Sequence, residues 1–404
     1  MNNIPPEEIS NRAHEILRRI LAEIGPRPAG SRAEKQAQEM IGRILAEKGL
    51  RLMWFDVPFS PSTRIEFYNF LAGVGLAAAA CGLARGSFWL SLLMPFVIAV
   101  LPEMVWLARR SAPPGGGKSA NLLALPADAQ PEALDLILIA HMDSAPARPY
   151  GIKLWYQWRE QAHKTTLRLA LILAVLGIMD LVGFTLPPAI LIAAQIVACL
   201  LAAVFLVHDL WEGIGGRGKF APGANDNGSG AAVTAALAEA LAAQPPHSAR
   251  VGYLFSGAEE TGLYGARQFA EYLAGKHYQG MVISVDMVGA GWKLKAVSGA
   301  GKTFRLKTDA EVLELLERAD PSIERLHYYR RSGDFEPFCR AGIRAAGIEA
   351  EGTRRSWRAY HTEKDGMGVI DPEMLTHTVT ALKQLVWLMD KGKAPLPGRG
   401  ENAE

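Results

Sequence analysis

The feature that most constrains this chain is the 40-residue stretch from Leu169 to His208, which contains one charged side chain, Asp180. A helix at the surface of a soluble domain carries polar residues on its outer face, whereas this stretch is apolar all round. Pro187-Pro188 divides it into pieces of about 18 and 22 residues. Phe67 to Ala84 gives another 18 residues without a charge, and Gly86 to Pro102 a further 17, with apolar character resuming after Glu103. A bilayer core takes about 20 apolar residues per helix. The sequence therefore predicts four membrane helices in two hairpins, 67–108 and 167–208. Asp180 and Glu103 fall within about two turns of the expected helix ends, where a carboxylate reaches the interface.

Charge is nearly balanced, 43 Lys+Arg against 41 Asp+Glu, so neither a nucleic-acid partner nor an acidic disordered chain is indicated. Cys81, Cys199 and Cys339 are scattered, which excludes a zinc ribbon or a disulfide scaffold. The polar, acidic N-terminus has no cleavable signal pattern. Positive residues flank the hairpins on the side of the remaining sequence: Arg64, Arg109, Arg110, Lys118, Lys153, Arg159, Lys164, Arg168, Arg217 and Lys219. The hairpin tips carry only Arg85. Positive residues stay cytoplasmic, so the expectation is an integral protein of a bacterial-type inner or plasma membrane, with both termini and the rest of the chain in the cytoplasm.

That remainder, 1–66 plus 109–166 plus 209–393, reads as one α/β domain interrupted twice, with a disordered tail at 394–404. Pro5-Pro6-Glu7-Glu8 opens a helix to about Ile24, and Ser31 caps another to about Lys48. Strand patterns occur at 50–57, 121–125, 134–140, 251–255 and 281–285. Helical patterns occur at 229–243, 263–274, 311–319 and 374–389. The alternation predicts a largely parallel sheet covered on both faces. The turn at 127–133 predicts that 121–125 and 134–140 are antiparallel neighbours. One motif is set aside: Ala112 to Ser119 fits a relaxed phosphate-loop pattern, but it precedes a strand where nucleotide binding needs a helix start.

The chemistry-bearing residues sit at strand ends. His141-Met142-Asp143-Ser144 leaves a buried strand; the pattern fits a metal ligand with an orienting carboxylate, and a surface histidine equally well. Asp226 lies in the tight turn Pro222-Gly-Ala-Asn-Asp-Asn-Gly-Ser-Gly230, which is also an ordinary helix start. Glu259 and Glu260 follow the strand VGYLFS. Adjacent carboxylates repel, and a cation between them would relieve this, one as ligand and one as general base. Asp286 falls in an apolar strand, where an unpaired carboxylate is costly. His361, in Tyr360-His-Thr-Glu-Lys-Asp365, is a second imidazole, with Asp365 as its support. Two histidines and three carboxylates, with no cysteine, suit two zinc ions, with cobalt or manganese as alternatives.

The ordered set HMDS, GANDNGSG, FSGAEETGLYGARQF, VDMVG and YHTEKD resembles the co-catalytic zinc exopeptidases, the bacterial leucyl aminopeptidase and aminopeptidase Y type. The segment SGDFEPF, with Asp334, is similar to a family segment near the site. The resemblance implies a three-layer α/β/α sandwich around a mixed, mainly parallel eight-stranded sheet. It implies that His141 and Asp286 bind one zinc, that Glu260 and His361 bind the other, and that Asp226 bridges them. Glu259 would be the general base, Asp143 would orient His141, and the Asp226–Asn227 peptide would be cis. The implied activity is a membrane-anchored aminopeptidase using a metal-bridged hydroxide on a peptide substrate. A glutaminyl-cyclase-like acyltransferase, or a non-catalytic scaffold of this fold, is the alternative. One departure stands out: His141 and Asp226 are 85 residues apart, with a hairpin between them.

Overall fold

The computed structural model describes residues 4–61, 68–110, 114–148, 152–184, 186–215, 218–301, 305–329 and 331–392. The chain divides into two units. One takes in 1–62, 113–147 and 219–404; the other takes in 63–112 and 148–218.

The first unit opens with helices α1 (Pro6–Arg19), which continues through a wider turn to Ile24, and α2 (Arg32–Glu47). Ser31 caps α2 by accepting the Glu34 N–H at 3.1 Å. The Glu34 carboxylate folds back to accept from Gly30 N at 2.7 Å, a capping-box arrangement displaced by one residue. Strands β1 (Arg51–Phe59), β2 (Gly117–Leu125) and β3 (Leu136–His141) follow. The second unit supplies α3 (Tyr68–Ala84), α4 (Trp89–Arg110), α5 (Ile152–Leu181) and α6 (Pro188–Gly215). The first unit then resumes with α7 (Gly230–Ala243), β4 (Val251–Ser256), α8 (Tyr264–Gly275), β5 (Met281–Val285), β6 (Leu294–Ala300) and β7 (Leu306–Lys307). It closes with α9 (Ala310–Ala319), β8 (Glu324–Tyr328), α10 (Phe335–Arg340), β9 (Arg344–Ala350), α11 (Arg354–Ala359) and α12 (Pro372–Asp390).

Among the described residues the sheet has nine strands, in the order β1-β2-β4-β3-β5-β9-β6-β7, with β8 paired to β6. This corrects the expected eight. The centre, β4-β3-β5-β9, is parallel. Pairings β1–β2, β2–β4, β9–β6 and β6–β7 are antiparallel. β6–β8 is parallel as well, so among the described strands parallel and antiparallel pairings are equal in number, and the sheet is mixed as expected without being mainly parallel. β3 shows why the centre is parallel: all six of its residues are buried, and a strand covered on both faces belongs to βαβ packing. Alternate residues feed two cores. Leu136, Leu138 and Ala140 pack with α1, α2, α7, α9 and α12 on one face. Ile137 and Ile139 pack with α8 and α10 on the other.

The expected β2–β3 hairpin does not form, because β4 lies between them: Leu123 pairs with Leu254 and Ile139 with Leu254 from the other side. The strand directions still agree with that expectation, since β2 is antiparallel to β4 and β4 is parallel to β3. Phe59 at the end of β1 pairs with Gly117 at the start of β2. Both sites where the first unit gives way to inserted chain, after Ser62 and after Ala147, therefore follow strand ends at the edge that carries His141. Residues 117–119 lie in β2, so the phosphate-loop pattern ends in a strand.

The helical unit has its own core of Leu76, Ala79, Ala80, Leu83, Ile98, Ala170, Leu173, Leu186 and Ala198. α3 and α6 pack closely enough that a Cβ on Gly73 would stand 2.8 Å from Ala202 Cα. Of the four spans expected, one described helix segment, Pro188–Trp211, is long and apolar enough to cross a membrane. Phe70–Ala84 and Trp89–Val100 are apolar but shorter. α5 starts at Ile152 rather than 167, so its first half includes charged residues such as Glu160 and Lys164. Asp180 lies in the last turn of α5. The Glu103 side chain and the tail from 393 onward lie outside the described residues.

Candidate metal centre

The sheet's C-terminal edge gathers every residue singled out for chemistry. β3 delivers His141, the turn before α7 delivers Asp226, the loop after β4 delivers Glu259 and Glu260, the end of β5 delivers Asp286, and the loop after α11 delivers His361. His141 Nε2 lies 3.2 Å from Asp226 Oδ1 and 3.7 Å from Asp286 Oδ1. His361 Nε2 lies 2.9 Å from Asp226 Oδ2 and 3.4 Å from Glu260 Oε1. The two oxygens of Asp226 thus face two different imidazoles, each accompanied by one further carboxylate. Glu259 Oε2 stands farther off, 4.0 Å from His141 Nε2.

Main-chain contacts build this arrangement. Asp365 Oδ1 accepts from Asn225 N at 3.0 Å and Oδ2 from Asp226 N at 3.1 Å. Asp365 therefore holds the Asp226 turn, a contact that its spacing from His361 does not announce. The Asp226–Asn227 peptide is cis. α7 begins against the end of β5, and any side chain on Gly230 would overlap Val285 O and Asn227 Oδ1. Asp143 accepts Glu259 N at 3.0 Å and Glu260 N at 2.9 Å. His141 Nδ1 lies 3.0 Å from the Asp143 carbonyl oxygen and 3.5 Å from its carboxylate. Ala258, Met287 and His361 are non-glycine residues at positive φ, 56°, 53° and 55°. Such backbone is uncommon and is retained where the surroundings fix it, as at active sites.

The electrostatics follow from crowding acids in a buried place. Burial works against charge on His141, but Glu259 and the carboxylates of Asp143, Asp226 and Asp286 outweigh it and raise the imidazole well above its usual range. Burial likewise opposes charge on His361, which Glu260 and Asp226 bring up to about 9. The two imidazoles overcome burial to hold Asp226 far below the carboxylate range. Burial dominates at Glu259 and, reinforced by Glu260, Asp334 and Asp286 against the pull of His141, lifts it well above an ordinary carboxyl. Asp334, on the segment SGDFEPF, accepts from Ser256 Oγ at 2.6 Å, and burial pushes it up to about 7.

The donor set fits a cation. Asp226 Oδ2, Glu260 Oε1 and Asp286 Oδ1 are buried and accept no hydrogen bond. Buried polar atoms ordinarily have partners, and three orphaned carboxylate oxygens beside two imidazoles are a nitrogen and oxygen donor set of the kind that zinc and similar divalent metals take. Ligand atoms of His141, Asp226 and Glu260 all lie within 4.8 Å of one another. Two residues that matter to the site escaped the sequence reading, Arg27 and Glu34. Arg27 donates to the carbonyls of Met142 and Gly223, and Glu34 accepts from Ala258 N at 3.1 Å. Both come from the N-terminal segment, which contains no ligand-type spacing.

Residues 209–386 match the model of peptidase family M28. Aminopeptidase YwaD of Bacillus subtilis (strain 168) is 30% identical over 169 residues, which is 39% of this chain and 35% of that protein, so the match spans about a third of the relative's length. The crystal structure of BSAP, a zinc aminopeptidase from Bacillus subtilis, superposes with a TM-score of 0.55 at 17% identity, covering 96% of this chain and 97% of that one. The Porphyromonas gingivalis glutaminyl cyclase superposes with a TM-score of 0.53 at 13% identity, covering 94% and 98%. At these identities the structural likeness shows the shared fold.

Proposed function

Because the chain carries a peptidase family M28 segment over residues 209–386, we propose that it is a dinuclear zinc aminopeptidase, anchored in a membrane, that removes N-terminal residues from peptides. The observation that carries this reading is the division of Asp226 between two imidazoles, with Oδ1 facing His141 and Oδ2 facing His361. His141 and Asp286 would hold one ion and Glu260 and His361 the other, with Asp226 shared between them. Zinc, when bound, supplies Lewis acidity to the scissile carbonyl and makes water acidic enough to react near neutral pH.

The chain's own groups do the rest. Glu259 takes the proton of the attacking water and returns it to the leaving amine. Asp143 fixes the main chain of Glu259 and Glu260 together, so base and ligand keep their spacing. Membrane anchoring is supported by Pro188–Trp211 and by where apolar side chains are exposed. All but four of the exposed large hydrophobic residues described lie on α3–α6 and the turns joining them, the reverse of a soluble exterior.

The deciding experiment pairs metal analysis with a substrate panel. Purified protein is expected to hold two zinc equivalents and to release the N-terminal residue of aminoacyl-naphthylamides, with activity lost to chelators. The shared fold with glutaminyl cyclases supplies the second reading: one zinc equivalent, together with cyclisation of glutaminyl peptides and no hydrolysis, would establish it instead.

A further inference from the structure

Arg27 is wholly buried, with 0% of its surface exposed, in the segment between α1 and α2. Among the described residues no carboxylate lies within ion-pair reach of it. Its guanidinium donates instead to four backbone carbonyls. Nε reaches Met142 O at 2.9 Å, Nη1 reaches Gly25 O at 3.0 Å and Pro222 O at 2.9 Å, and Nη2 reaches Gly223 O at 2.9 Å. The main chain of residue 27 exchanges further bonds with Ser144: Arg27 N donates to Ser144 Oγ at 2.9 Å, and Ser144 N donates to Arg27 O at 2.9 Å. One side chain thus ties the segment after His141 to the turn before Asp226.

These two segments border the longer insertion. The first unit ends its second stretch at Ala147 and resumes at Lys219. Ala147 N donates to Lys219 O at 3.0 Å, and Ala221 N donates to Ala145 O at 2.9 Å. Those two bonds close the mouth of the insertion, but neither reaches the ligand-bearing residues. The only described side chain that bonds both Met142 and the 222–223 turn is Arg27.

We propose that Arg27 is a positioning residue that sets the separation of His141 and Asp226 by clamping the two loops that carry them. The proposal rests on the metal-centre reading above. A guanidinium suits the task because its planar fork offers five donors in fixed directions, which a lysine ammonium cannot reproduce. Burial draws the guanidinium down to about 10, against the field of Asp365, Asp143 and Asp226, so it keeps its charge at neutral pH. That charge faces a site crowded with carboxylates.

The test measures zinc affinity of the metal-free full-length protein by competition with a chromophoric chelator. It compares wild type, His141→Ala, Arg27→Lys and Arg27→Met, each first shown to match the wild-type circular dichroism and elution volume. His141→Ala is expected to lose tight binding. Both Arg27 variants are expected to bind about tenfold or more weakly, the range seen when groups supporting metal ligands are removed. Their kcat should fall more than their KM changes. Wild-type affinity in His141→Ala overturns the metal-centre reading and this inference with it. Weak binding in His141→Ala with wild-type affinity in both Arg27 variants overturns the inference alone. If the Arg27 variants do not fold, Ser144→Ala decides. It frees only the Arg27 N–H and leaves the bond from Ser144 N to Arg27 O in place, so a few-fold loss of affinity supports the clamp and an unchanged affinity refutes it.

Discussion

Asp143 holds Glu260 through the main chain: its Oδ2 accepts the Glu260 N–H at 2.9 Å, while Oδ1 accepts that of Glu259 at 3.0 Å. The loop leaving β3 is thereby fastened to the loop leaving β4, and an imidazole, a proposed carboxylate ligand and the proposed base share one support. A group expected to orient a histidine also orients the two glutamates opposite it.

Asp143→Ala should therefore disturb both sides of the site. The expected loss is about 10–100-fold in metal affinity, with two amides left unpaired at a cost of about 1–3 kcal/mol each. Asp143→Asn keeps one acceptor oxygen and should fall between the variant and wild type. Chelator competition and urea unfolding measure the two quantities, and an Asp143→Ala protein unchanged in both would remove Asp143 from this role.

Glu259→Gln should separate catalysis from binding. The amide keeps the shape but cannot take a proton, so turnover is expected to fall by about 10²–10⁴ while zinc content stays at the wild-type value. Wild-type turnover in this variant would show the base to be misassigned.

Stability should depend on Glu34 in a direction fixed by its environment. Burial, aided by Asp143, pushes its carboxyl up to about 8, against about 4.3 for an unfolded glutamate. The folded chain then holds a proton that the unfolded chain releases. The contribution is complete below the unfolded value and is lost as pH rises through the folded one. Urea midpoints of metal-free wild type should decline between pH 5 and 8 more steeply than those of Glu34→Gln. Parallel declines would exclude Glu34 as the source.

Gly230→Ala tests the close approach of α7 to the end of β5. Its methyl group meets Val285 O and Asn227 Oδ1, neither of which can swing aside, because Asn227 Nδ2 donates to Val285 O at 2.9 Å. Overpacking of this kind costs about 1–3 kcal/mol. The urea midpoint should fall accordingly, with the metal site, one turn away, losing affinity as well.

The apolar exterior of α3–α6 predicts that the protein sediments with membranes and resists alkaline carbonate extraction. The flanking arginines and lysines predict a cytoplasmic C-terminus. A C-terminal alkaline phosphatase fusion should be inactive and a fluorescent-protein fusion bright; the opposite pair of results would reverse the orientation.

The residues of the proposed site, and the helices beside them, were legible in the sequence. His141, Glu259, Glu260 and Asp286 directly follow or end apolar strands, and that local pattern survives in one dimension because a parallel strand must be apolar throughout and then stop; Asp226 and His361 stand instead in polar turns, one rich in glycine, between helices and loops. The sequence also determined that the α/β part is interrupted twice. It did not reveal β6, β8 or β9. Leu294–Ala300 and Arg344–Ala350 mix alanine, glycine and charged residues, and Glu324–Tyr328 is largely polar; they become strands only because neighbouring strands pair with them. The insertion of β4 between β2 and β3 was equally hidden, since a turn of suitable length at 127–133 says nothing about a third strand that begins only at Val251. Tertiary structure alone decided the roles of Arg27, Glu34 and Asp365. Each acts on backbone carbonyls or amides of remote segments, and backbone groups are the same at every position, so no residue type in those segments announces the partner.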